Sequence, residues 1–202
     1  MKKIMMLLGL LLVFSIYSQG KIGAIKAGMF FPGACDGGFD LGLEYGLHVD
    51  TNLDVSAEMG WFKKDFEDKD IKDKYEGIPG LSADDLRVLS ETTIYDFPLM
   101  VMVTAKFPIN FKTKWFVNGG LGAEMLYASY NTIDDDSEHE LAFDFNWRLG
   151  GGMIYNLGER SELLAEVSYH NSLPSIEDDN GIVTEYDMSG ILGRVGVRFF
   201  FN

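Results

Sequence analysis

From Phe39 to Val49 every odd position is apolar or aromatic (Phe39, Leu41, Leu43, Tyr45, Leu47, Val49), and the even ones are polar or small (Asp40, Gly42, Glu44, Gly46, His48). A period of two is the mark of a β-strand with one apolar and one polar face. Asp50-Thr51-Asn52 reads as a tight turn. Beyond it, Leu53, Val55, Ala57, Met59 and Trp61 continue the apolar face, and Asp54, Ser56, Glu58 and Gly60 the polar one. The pair is a hairpin.

The same alternation runs through the chain. Ile22 to Phe31 is a weaker first strand. Thr92 to Phe107 is a fourth, with Tyr95, Phe97, Leu99, Val101, Val103 and Phe107 on one face. Trp115 to Tyr127, Leu141 to Tyr155, Glu162 to His170 and Asp187 to Phe201 are the fifth to eighth. Their polar faces carry Asn118, Glu124, Asp144, Asn146, Arg148, Glu162, Glu166, His170, Arg194 and Arg198. Connections at 50–52, 108–114 and 157–161 are short, and those at 63–91, 130–140 and 171–186 are longer and acidic. The link at 32–38 breaks this rhythm, being short where a long one is expected.

The first twenty residues stand apart. Lys2 and Lys3 precede an almost wholly apolar Ile4–Ile16, and Ser18 and Gly20 are small residues placed for cleavage before Lys21. This is the layout of a secretory signal peptide, and a cut after Gln19 fits it too. The apolar stretch falls short of the roughly 20 residues of a spanning helix. Residues 1–20 therefore read as a leader and 21–202 as one domain. The net charge of −14 argues against nucleic acid, whose phosphates demand basic surfaces. The lone Cys35 cannot form an internal disulfide, and the soft ligands of a zinc or iron–sulfur centre are absent. No cofactor and no metal are expected.

In a soluble barrel the apolar face would point inward. Here the polar face combines Glu44, Glu58, Glu124, Glu166, Arg148, Arg194 and Arg198 with many glycines, while the apolar face is large and aromatic. Turning the apolar face into lipid accounts for both. Lipid requires every backbone group to pair internally, so the sheet must close. Eight strands enclose an interior that side chains just fill. Aromatics gather towards the short turns (Phe107, Trp115, Tyr155, Phe199, Phe201) and towards the long loops (Phe31, Phe39, Trp61, Tyr95, Tyr127, Tyr169), as two interfacial girdles would. The expected fold is all-β, an eight-stranded antiparallel transmembrane β-barrel. Its expected place is the bacterial outer membrane, with both termini in the periplasm. The competing reading is a soluble lipocalin-like or sandwich protein. Pro98, inside the fourth strand, cannot donate to a ladder and predicts a bulge.

Tyr95-Asp96-Phe97-Pro98-Leu99-Met100-Val101 resembles a strand signature of small outer-membrane β-barrels of the porin-like and OmpA-like kind. Trp115-Phe116-Val117-Asn118-Gly119-Gly120-Leu121-Gly122 and Gly150-Gly151-Gly152-Met153-Ile154-Tyr155 are similar to the glycine-rich strands that follow it. At the C-terminus, Arg194, Gly196, Phe199 and Phe201 resemble the family's assembly signal, except that Asn202 follows the last aromatic. The resemblance implies fold, location and the outer-membrane lipid and assembly machinery as partners. It implies no single activity.

Three constellations bear on function. The interior charges suit either a narrow cation path or a salt-bridge plug, and the small lumen of eight strands favours the plug. His170-Asn171-Ser172 places a histidine and a serine on one strand face, where base and nucleophile can meet. Outer-membrane lipid A deacylases carry a similar His-x-Ser pair with a glutamate, a place that Glu177 or Glu185 would fill. Against that, the register points both side chains to the interior, whereas lipid arrives from outside. Asp134-Asp135-Asp136 with Glu138 and Glu140, and Glu177-Asp178-Asp179, are acidic clusters without the spacing of a calcium loop, and read as solvated loop surface. Segment 63–91, which includes a short capped helix expected at Ser82–Arg87, is the best candidate contact surface. The expected role is structural, or binding of an extracellular ligand or surface protein through loops 63–91, 130–140 and 171–186, without catalysis.

Overall fold

The alternating segments become strands because their apolar faces share one side and their backbones pair in register. In the computed structural model, residues 20–67, 91–131, 137–177 and 183–201 are described. They form β1 (Gly20–Pro32), β2 (Gly38–Asp50), β3 (Leu53–Glu67), β4 (Glu91–Pro108), β5 (Thr113–Asn131), β6 (Ser137–Asn156), β7 (Ser161–Asn171), β8 (Ser175–Glu177), β9 (Val183–Glu185) and β10 (Gly190–Phe201). β1 to β7 and β10 make a closed antiparallel barrel, and β8 and β9 form a separate two-stranded ribbon. Each barrel strand pairs with its neighbour along the barrel order, and the seam runs from Lys21 against Phe201 to Pro32 against Gly190. At that seam a Cβ on Gly28 would lie 1.9 Å from the Gly193 carbonyl oxygen, so only glycine permits the approach.

The apolar face points outward. Ile25, Leu43, Tyr45, Leu99, Leu121, Phe143, Phe145, Val167 and Val195 are exposed, with Phe143 at 68% and Val195 at 62%. A continuous belt of this kind far exceeds the apolar patches that soluble monomers tolerate. The soluble alternative fails on this point, since its apolar side chains would have turned inward. Both expected girdles are present. Phe107 stacks on Trp115 at 4.3 Å near the short turns, and Tyr95–Tyr127 and Trp147–Tyr169 pair at 5.9 and 5.7 Å towards the other end.

The strands run further towards the long-loop end than the alternation predicts. β3 continues to Glu67, and β5 and β6 extend to Asn131 and back to Ser137. Of the expected loops 63–91 and 130–140, residues 63–67, 91, 130–131 and 137–140 belong to strands. The charged Lys63–Glu67 stretch lacks alternation, but ladder pairing depends on backbone, not on side-chain polarity. The 20 residues of β6 rise about 45 Å at about 3.3 Å per residue and about 45° of tilt, beyond an apolar band of about 25 Å. The helix expected at Ser82–Arg87 and the leader 1–19 lie outside the described residues.

The short link at 33–37 closes the loop end of the barrel. Gly33 and Ala34 donate to the carbonyls of Ser189 and Asp187, at 2.9 and 2.7 Å. This pairing occupies Asp187–Ser189, which explains why the last strand begins at Gly190 rather than at the expected Asp187. Ala34 and Cys35 pack against a buried apolar cluster of Phe30, Phe62, Ile94, Leu126, Met188 and Leu192. Burial pushes the Cys35 thiol up to about 11.

The bulge predicted at Pro98 does not form. Met59 pairs with Leu99 and Phe62 with Asp96 in one unbroken register, and the ladder simply carries no pair at the two positions between. Gly60 makes room instead, since a Cβ there would meet the proline ring at 2.7 Å. The register shift that does occur lies between His48 and Asp50, beside the first tight turn. Gly60→Ala is therefore expected to lower stability by about 1–3 kcal/mol through overpacking, and to cost markedly less in a Pro98→Ala background. Urea unfolding in detergent micelles, followed by tryptophan fluorescence, reads both. Equal cost in the two backgrounds would refute the Gly60–Pro98 fit.

Candidate functional site

The inward face of every barrel strand feeds one polar column along the lumen. β3 contributes Asp54, Glu58 and then Phe62, rising from the short-turn end. β7 contributes Glu162, Glu166 and His170, and β10 contributes Arg198, Arg194 and Leu192. The strand period places these side chains at successive heights, and the register brings neighbours level: Arg194 stands opposite Glu166 and Arg198 opposite Glu162.

Lys26 lies at the centre. Its ammonium, 2% exposed, sits 2.6 Å from Glu58, 2.8 Å from Glu44 and 3.4 Å from Glu166. Arg194 reaches Glu58 at 2.8 Å, Glu166 at 3.0 Å and Asp40 at 3.5 Å. Arg148 also donates to Glu58. Nearer the short turns, Arg198 bridges Asp54 at 3.0 Å and Glu44 at 3.5 Å, Lys106 meets Asp54 at 2.8 Å, and Lys114 meets Glu162 at 2.9 Å. Among the described residues this network joins six cations (Lys26, Lys106, Lys114, Arg148, Arg194, Arg198) to six carboxylates (Asp40, Glu44, Asp54, Glu58, Glu162, Glu166), so it is balanced in charge. Removing one partner of such a buried pair typically costs roughly 3–5 kcal/mol, because its counter-charge is left desolvated.

The sequence points to Glu44, Glu58, Glu166, Arg148, Arg194 and Arg198, and the structure brings these together. Glu124 stands apart from them. Its carboxylate lies 2.6 Å from His170 Nε2, receives Asn146 Nδ2 at 3.2 Å, and is in contact with the Asp96 carboxyl. Asp96, Glu124 and His170 each offer one donor atom within 4.8 Å of the others, and none is more than 1% exposed. The Asp96 and Glu124 carboxyls share a hydrogen bond, and among the described residues Asp96 Oδ1, Glu124 Oε1 and His170 Nδ1 have no N–H or O–H partner from backbone or from any other side chain. The His170 ring packs edge-on against Phe30 at 5.6 Å.

His170 and Ser172 do face the interior, both 1% exposed. Their hydrogen bonds go to different partners. His170 is engaged by Glu124, and Ser172 Oγ donates to Asp144 at 3.3 Å. The side chain of Glu177 and the residues Asp178 and Asp179 lie outside the described residues, as do Asp134–Asp136 and the side chains of Glu138 and Glu140. Glu185, at the end of β9, is exposed. Of the terminal motif, Arg194 belongs to the network, while Phe199 and Phe201 lie on the outer face, 42% and 48% exposed.

Sequence reasoning missed Lys26, Lys106 and Asp96 as interior residues. The signal was parity. Lys26 shares its phase with Ile22, Ala24 and Phe30, all buried, but the weak alternation of the first strand hides that face. Lys106 has the same phase as Met100, Met102 and Thr104 on β4.

The sequence matches the family described as outer membrane protein beta-barrel domain over residues 14–199. No curated protein matches the sequence. Among solved structures, Neisserial surface protein A aligns with a TM-score of 0.60 at 13% identity, over 90% of this chain and 96% of that one. A major outer membrane protein from Thermus thermophilus aligns at 0.58 and 17% identity, over 91% and 100%. OprG from Pseudomonas aeruginosa aligns at 0.53 and 14%, over 92% and 98%. At these identities the likeness speaks for the fold. Together with the outward apolar belt and the closed eight-stranded sheet, the match over most of the sequence establishes that this chain belongs to the outer membrane β-barrel family and resides in the bacterial outer membrane.

Proposed function

We propose that the protein is a closed membrane anchor whose work is done at its extracellular loop end, by binding a ligand or surface protein there. The observation that carries this is the filled lumen. The balanced ion network crosses the barrel at mid-height, and the apolar cluster under the 33–37 link lies above it. At the short-turn end the barrel opens into a recess of about 730 Å³ lined by His48, Lys114, Glu162 and Phe200. The network floors that recess, so it reads as a dead end rather than a path.

The outer end has the complementary character. β3 to β6 project beyond the apolar belt, and segments 68–90, 132–136 and 178–182 join strands there. These segments carry an excess of Asp and Glu over Lys and Arg. An acidic rim favours a partner with a basic contact face. The reading includes no catalytic step. His170 and Ser172 are committed to separate carboxylates inside the barrel, away from lipid on the outer face.

Pure protein in planar bilayers is expected to give no steady single-channel steps, and regular steps would overturn the closed lumen. Deleting 68–90 is expected to leave the barrel folded, read by its heat-dependent gel shift, while abolishing adhesion of expressing cells to the target surface. Misfolding of that variant would count against a loop that only binds. Lipid A from cells expressing the native chain and from cells expressing Ser172→Ala is expected to give the same mass spectrum. Loss of one acyl chain with the native protein alone would make it a deacylase.

A further inference from the structure

We propose that Asp96, Glu124 and His170 form a binding site for one divalent transition-metal ion, of which Zn²⁺ is the representative, inside the barrel between the ion network and the apolar cluster. The argument begins from charge. The network below is balanced, six cations against six carboxylates among the described residues. Among the described residues, Asp96 and Glu124 are two further carboxyl groups that stand outside the lysine and arginine ion pairs. Arg148, the nearest cation of the network, donates its guanidinium to Glu58. Two touching carboxyl groups in a buried site do not both ionise unless a cation lies between them. A divalent ion held by two carboxylates and one neutral imidazole leaves the site neutral.

The geometry supplies the second part. The three side chains come from β4, β5 and β7, so they converge from across the lumen rather than from one loop. Their donor atoms lie within 4.8 Å of one another. Tetrahedral ligands at about 2.0–2.2 Å from an ion are about 3.3 Å apart, so ligation opens the 2.6 Å hydrogen bond between His170 and Glu124 and draws the three donors to that spacing. Among the described residues, and apart from the contact between the two carboxyls, Asp96 Oδ1, Glu124 Oε1 and His170 Nδ1 are buried polar atoms that no other protein group satisfies. Buried polar atoms are seldom left in that state. Orienting contacts are already in place, with Asn146 donating to Glu124 and Phe30 packed against the His170 ring. Such outer contacts are what fix ligand direction in metal sites.

The donor set selects the class of ion. Two carboxylates with one imidazole nitrogen suit zinc and its first-row neighbours, whereas calcium and magnesium favour oxygen alone. Phe62, Ile94, Leu126 and Met188, all buried, lie towards the outer mouth, so the ion enters as the barrel folds. There it links β7 to β4 and β5 across the lumen. This site is independent of loop binding, and the two readings stand or fall separately.

The test uses the protein without a polyhistidine tag, unfolded in urea with a chelator, refolded into detergent micelles with Zn²⁺, and desalted before elemental analysis. The expected result is about one zinc per native chain, and at least about tenfold less in Asp96→Asn and in Glu124→Gln, since each loses a charged ligand with little change of volume. Native protein that retains less than about a tenth of a zinc, or variants that retain as much as native, would overturn the proposal. If the variants fail to fold, native protein refolded with Co²⁺ decides. Intense visible bands of a low-coordinate cobalt site support it, and the weak spectrum of hydrated Co²⁺ overturns it.

Discussion

Hydrocarbon offers no partner to a backbone N–H or C=O, so a strand that enters it must be paired on both sides. In this chain the obligation is met by the return of β10 to β1, which turns eight strands into a sheet without an edge. Everything else follows from that closure. Once the sheet closes, alternate residues have only two destinations, lipid or lumen. The odd-numbered aromatics and aliphatics of β2 and β4 take the first, and the charges opposite them take the second. The girdles and the projecting outer strands are consequences of the same division.

The lumen then sets an electrostatic condition of its own. Charges confined among eight strands are tolerable only when matched, and the network around Lys26, Glu58 and Arg194 is matched one for one. This arrangement occupies the middle of the lumen. It also makes the Asp96–Glu124–His170 group conspicuous, because it lies outside that balance while sharing the same burial. The two features make the interior a pair of stacked polar layers, one balanced in charge and one with two carboxyls and a histidine, under an apolar cover.

Much of this is legible in the sequence. The period of two sets strand order and facing for β2 and for β4 to β7, because side chains on a closed sheet have no third option. Strand ends are less legible. Lys63 and Lys64 show no alternation, yet they extend β3 because β4 is there to pair with. Pro98 reads as a defect of one strand, whereas its accommodation depends on Gly60 of the neighbouring strand, a pairing that no local pattern announces. Lys26 is hidden for a similar reason. Its three carboxylate partners come from β2, β3 and β7, and their convergence is a property of the closed barrel. The His-Asn-Ser stretch gives the right facing and the wrong partners, since spacing along a strand says nothing about what stands across the lumen.

The glycine seam bears on how the molecule comes to be assembled. Gly28 lets β1 and β10 come so close that a side chain there would strike the opposing backbone, so a shifted alignment that set another residue against Gly193 would be obstructed. In the one alignment that fits, Arg194 and Lys26 are delivered to the same carboxylates, Glu58 and Glu166, from opposite sides of the junction. A barrel zipped in another frame would forfeit these shared contacts and leave charges of the network unmatched.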